Sequence, residues 1–128
     1  MDKHVAERWV QALRSGQYQQ GREDLRPDTN SYCCLGVLCD LYRVEQGKGE
    51  WAAISTGQDR MAFEVHDCDG QATESESAVL PEAVKDWAGM SSFEGRIAFT
   101  SDALSALNDE GMQFPQLADL IEKKWEVL

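Results

Sequence analysis

The segment YCCLGVLCDLY, residues 32–42, holds three cysteines in seven positions: Cys33, Cys34 and Cys39. Thiols at that density could ligate a metal, pair as a disulfide or supply a nucleophile. Each chemistry demands a geometry. On a helix, at about 100° per residue, Cys33 and Cys34 point about 100° apart, Cys34 and Cys39 about 140°, and Cys33 and Cys39 about 120°. Sulfurs aimed in three directions cannot close on one ion, and zinc ligands are normally spaced C-x-x-C on a turn. Adjacent helical cysteines also lack the geometry of a disulfide. Free cysteine is among the most buried residue types, so Cys34 and Cys39 are expected in a core.

Cys33 differs, because it falls in the first turn of the expected helix. There the backbone N–H groups and the macrodipole lower a thiol pKa. Cys33, then His66 at the end of a strand candidate, then Asn108, follows the chain order of papain-like thiol hydrolases. The C-G-S-C-W signature is missing, and Asn108 lies in a helical segment. These three residues form the alternative catalytic set; the residues favour a protein without catalysis. The run HDCDG offers His66, Asp67, Cys68 and Asp69. His66 and Cys68 would share one strand face, a metal pair short of ligands unless Cys33 or His4 joined it. A calcium loop starting at Asp67 would place Ala72 where the turn glycine belongs. A polar hairpin tip is the simpler reading. Asn108 and Asp109 sit near a helix C-terminus, suited to a cap between helices or a ligand contact. Phosphate-loop, Ser-x-x-Lys and Gly-x-Ser-x-Gly patterns are missing, so neither cofactor nor metal is expected.

The elements that would position these residues follow from periodicity. Val5, Trp9, Ala12 and Leu13 predict a helix over 3–15, ended by Gly16. Residues 17–30 read as a polar loop with a short extended piece. The next helix, about 31–45, has Asn30 or Ser31 as cap and Gly47 and Gly49 at its end. It is apolar nearly all round, with Gly36, Asp40 and Arg43 as its polar wedge, which predicts a central buried helix. Gly36 would admit a close neighbour. WAAIS (51–55) and MAFEVHD (61–67) predict strands, Asp69-Gly70 a type I′ hairpin, and 71–75 a third strand. Pro81 opens a short helix ended by Gly89. A brief strand is expected at 95–100, and a helix to Gly111 capped by Thr100 or Ser101. The last helix, 114–126, carries the stripe Phe114, Leu117, Ala118, Ile121 and Trp125. The fold class is α+β and helix-dominated: about five helices around a central buried helix, with a small antiparallel β element, in one domain over 1–128.

The totals narrow the function. Twenty-three acids against twelve bases give a net charge of −11. That argues against direct binding to nucleic acid or an anionic membrane and suits a protein partner with a basic surface. The apolar runs are too short to span a bilayer and the start lacks a signal-peptide core, so a cytosolic protein is expected. Trp51 and Trp87, near loops and short elements, with Asp67 and Asp69, are the expected partner contacts.

The run from Trp9 through Ala12, Leu13, Ser15, Gly16, Tyr18 and Gln20, the segment YCCLGVLCDLY, LPEAVKDWAG, and LNDEGMQFPQLADLIEKKW together resemble a family of small uncharacterised bacteriophage and prophage proteins. The resemblance covers most of the chain. Its most specific parts are the cysteine-rich helix and the Leu107-Asn108-Asp109 turn leading into Leu117-Ala118-Asp119. Gln113 departs from it, standing where a serine cap is expected, at a cost of about 1 kcal/mol at most. The resemblance implies a phage or prophage product acting in the bacterial cytoplasm. It carries no catalytic residue over. By association it implies an accessory protein that binds a host protein, in its sharpest form an inhibitor of a host nucleic-acid-binding or defence complex.

Overall fold

The structure, a computed structural model, describes residues 1–54 and 59–128. The expected strand 51–55 therefore ends, at Ser55, outside the described residues. Among the described residues the order is α1 (Lys3–Arg14), β1 (Gln19–Gln20), β2 (Ser31–Tyr32), α2 (Cys34–Gln46), β3 (Gly49–Ala53), β4 (Met61–His66), β5 (Ala72–Glu76), α3 (Glu82–Ala88), α4 (Leu104–Asp109) and α5 (Phe114–Lys124). A 3₁₀ turn, Trp125–Val127, follows α5 in place of the helical end expected to 126. The class is α+β. None of these helices is long and apolar enough to cross a membrane.

Helix α1 starts where the Asp2 carboxylate accepts the Val5 N–H at 3.0 Å. Its apolar stripe, Val5, Ala6, Trp9, Val10 and Leu13, is buried. Gly16, at φ +77°, turns the chain away. The helix runs alongside α5 in the opposite direction: Lys3 to Val10 lie level with Glu122 and Trp125, and Leu13 level with Phe114. Arg14 fixes that pairing through Asp119 (2.6 Å) and Glu122 (2.9 Å).

Helix α2 is the central buried helix, with Cys34 to Asp40 and Tyr42 inside. It packs against α1, α3, α4 and β3. Its N-cap residue is Cys33, so neither Asn30 nor Ser31 caps it; Ser31 belongs to β2, which pairs in parallel with β1. The polar wedge is also smaller than expected, because Gly36 and Asp40 are buried. Gly36 is the seat of a close approach: an added Cβ would lie 1.8 Å from the Leu25 carbonyl oxygen. Leu25, alone among polar neighbours, is fully buried there and ties the loop down by accepting the Cys33 N–H at 3.0 Å. A single leucine has no periodicity, so the loop read as polar throughout.

Strands β3, β4 and β5 form an antiparallel sheet in that order. Trp51 faces Phe63 and Gly49 faces Val65, which sets the inner face. The hairpin turn closes with the Gly70 N–H on the Asp67 carbonyl (3.0 Å). Gly70 has φ +80° but Asp69 does not have positive φ, so this is not the type I′ turn expected. It is a three-residue loop with Gly70 left-handed, and the ladder shifts register between Val65 and His66. From the edge strand β5, Glu74 reaches α3, its carboxylate accepting from Glu82 N–H (2.6 Å) and Ala83 N–H (3.1 Å). Pro81 precedes that helix as its cap residue rather than its first turn.

The segment 95–100 is not a strand. It is a series of turns with one isolated bridge, Arg96 to Ala103, and Ala103 rather than Thr100 or Ser101 precedes α4. At α5 the departure at Gln113 is compensated: Gln116 accepts the Gln113 N–H at 3.1 Å and Gln20 accepts the Phe114 N–H at 2.9 Å.

Candidate functional site

The three clustered thiols lie in the interior, Cys34 and Cys39 fully and Cys33 nearly so. None is in a disulfide, and no metal-binding cluster of His, Cys, Asp and Glu occurs among the described residues. Cys33 does stand at the helix start, yet its thiol is not activated. Burial pushes it up to about 11, against the opposing pull of the Gly36 and Leu35 N–H groups. The lowered pKa expected from the dipole is therefore corrected: removing the thiolate from water outweighs two amides. No hydrogen bond joins Cys33 to His66 among the described residues; His66 lies half-buried at the end of β4, its backbone N–H on Lys48 O. Cys68 is the exposed cysteine, on the hairpin tip. His4 lies on the exposed side of α1 near Glu7.

Asn108 has a structural task. Its side chain is fully buried. Its Oδ1 accepts from Cys34 N–H (3.2 Å) and Gln20 Nε2 (3.1 Å), and its Nδ2 donates to Gly21 O (2.8 Å). Asn108 thus supplies, from α4, the acceptor that the start of α2 lacks in its own sequence. It serves a cap as anticipated, though for α2 and not for α5. Asp109 beside it accepts the Glu23 N–H at 2.7 Å.

A polar centre that the sequence did not single out surrounds Asp40. This buried carboxylate accepts from Tyr18 Oη (2.7 Å), Trp51 Nε1 (3.0 Å) and Arg43 Nε (2.8 Å). Burial alone would raise its pKa; the bonds from Arg43, Tyr18 and Trp51 outweigh that and hold it low. Tyr18 is pushed the other way, by its own burial and by the neighbouring carboxylate. Tyr32 stacks edge-on between Tyr18 and Trp51, at 5.1 and 5.7 Å, and the Arg26 guanidinium lies over Tyr32 at 4.7 Å. The signal available was an aspartate on an otherwise apolar helix, which needs partners when buried.

The expected contact residues separate on the surface. Trp51 is half-buried and committed to Asp40, and half-buried Trp87 packs edge-on against Tyr42 at 5.4 Å. Asp67 is exposed but engaged in the turn, its Oδ1 accepting from Asp69 and Gln71 N–H groups at 2.9 Å each. Asp69 is exposed. An open cleft of about 210 Å³ lies between α1 and α5, lined by Lys3, Glu7, Val10 and Trp125 among others. On the outer face of the sheet Glu50 stands directly opposite Glu64. Neither has an ion-pair partner among the described residues.

Comparison with curated proteins finds no match, and comparison with solved structures finds none either. A family model, described as a domain of unknown function, does match, and it spans residues 1–125, from the start of α1 to the 3₁₀ turn. The chain belongs to this family, DUF8296.

Proposed function

We propose that this chain is a small acidic phage or prophage accessory protein that works in the bacterial cytoplasm by binding a basic surface of a host protein. Its sharpest form is an inhibitor that occupies the cationic site of a nucleic-acid-binding or defence complex. The observation that carries the reading is the Glu50–Glu64 pair. Like charges directly opposed across a sheet destabilise it, by about 0.2–1 kcal/mol. A lysine or arginine brought by a partner would turn that repulsion into attraction. The excess of acid supports the same reading, since Asp40 is the one buried acidic side chain among the described residues. The potentially reactive thiols at 33, 34 and 39 support it from the other side, being packed rather than presented.

The test is capture from bacterial lysate on the immobilised protein at graded salt. A retained partner should elute as ionic strength rises. The Glu50→Gln, Glu64→Gln double variant should bind it more weakly and fold more stably. A lysate that yields no partner at any salt sinks the proposal, and so does a partner indifferent to both substitutions and salt.

A further inference from the structure

Phe99 is fully exposed, at 100% of its free surface, and has φ +66°. It occupies the third position of the turn Ile97–Thr100, closed by the Thr100 N–H on Ile97 O at 3.2 Å. Positive φ at that position is the place of glycine or asparagine, and a large aromatic side chain there is strained. The ring recovers nothing from the fold, because it touches water on all sides. The backbone beneath it is held firmly. Ala98 N–H bonds Val127 O (2.9 Å), Ile97 N–H bonds Asp102 O (2.9 Å), and Thr100 Oγ1 donates to Ile97 O (2.8 Å) while accepting the Asp102 N–H (3.1 Å). Ile97 itself is buried. The surroundings thus impose a conformation that the residue resists, and they use it to hold a phenyl ring clear of the surface. Strain maintained by a rigid frame is a mark of a functional position.

We propose that Phe99 is the anchor of a protein–protein contact, inserting into a phenyl-sized apolar pocket whose rim is basic. The inference rests on the reading of a basic partner and names the pocket it must offer. Charge complementarity selects this occupant. The segments that form the turn and its support, 94–105 and 125–127, carry Glu94, Asp102 and Glu126 against Arg96, and Arg96 is already drawn to Glu94 at 3.5 Å. A second copy of the chain, at −11, would meet like charge, as would an anionic membrane. An aromatic anchor inside a polar ring is the usual form of an interface centre.

The experiment uses two variants and a defined probe. Amino-substituted β-cyclodextrin presents a phenyl-sized cavity with a cationic rim. Titrated by NMR, it should bind the wild-type chain, weaken with salt, and lose about thirtyfold in affinity to Phe99→Gly and Phe99→Ala. Phe99→Gly should at the same time raise the Tm by about 2 °C, since glycine relieves the strained φ, whereas Phe99→Ala should not. The host partner captured at low salt should be released by the same cyclodextrin and not retained by either variant. If the partner binds wild type and both variants alike, the anchor is overturned while the basic-partner reading stands. If no partner is captured at all, the basic-partner reading fails and the anchor falls with it. Equal cyclodextrin binding to all three chains, or an affinity for a second copy or for anionic vesicles that depends on Phe99, also overturns the assignment.

Discussion

Asp40 and the thiols show how burial and hydrogen bonding pull a side chain in opposite directions. For Asp40 three donors prevail over burial, and the folded pKa lies below its ordinary value. A depressed acid contributes stability above its unfolded pKa and loses it as pH falls through the folded one. Asp40→Asn should therefore cost about 2 kcal/mol at neutral pH and flatten the acid limb below about pH 4, as read by urea melts across pH. For the thiols burial prevails, and the outcome is inertness. Iodoacetamide should label Cys68 alone in the native protein, and a Cys68→Ser variant should take no label until unfolded. Native labelling of Cys33 would show instead a thiol poised for chemistry. The burial of Cys34 and Cys39 could be read from the helix they occupy. The environments of Asn108 and Asp40 could not, because their partners come from other elements: Asn108 meets Gln20, 88 residues away, and Asp40 meets Tyr18 from the loop after α1 and Trp51 from β3.

Helices α1 and α5 were legible because each carries a long apolar stripe with one period, and α2 because it is apolar nearly all round. Their ends were less so. The start of α2 is satisfied by Asn108 from α4 and that of α3 by Glu74 from β5, so local capping rules had nothing to find. The segment 95–100 has the composition of a strand but, among the described residues, no neighbouring strand to pair with, and it folds as turns around Ile97 instead. Gly36 gives this scale its sharpest test. Its hydrogen stands where a methyl group would overlap Leu25 O, and neither backbone can move without parting α2 from the loop that covers it. Gly36→Ala, although helix-favouring in isolation, should destabilise the protein by about 3 kcal/mol in chemical denaturation. A neutral or stabilising outcome would mean that the Leu25 loop is not fixed on α2.

At the scale of the whole chain the acid excess acts on stability and on association with opposite sign. Salt screens the repulsion among surface carboxylates, so the Tm of the free protein should rise between low salt and about 0.3 M sodium chloride. Binding to a basic partner should weaken over the same range. A Tm that fell with salt would mean that the surface ion pairs, such as Arg14 with Asp119 and Glu122, outweigh the net charge. The fold class could be read in advance, since it needs only the order and type of elements. The arrangement could not, because it is decided by contacts between distant segments. One of these sets α1 against α5, with Trp9 of α1 also donating its indole N–H to Cys34 O. During synthesis α1 leaves the ribosome before α5. Helix α2 can cover Trp9 early, but the rest of the stripe must wait for α5, so a chain stalled before residue 114 leaves Leu13 open to the chaperones of the cell.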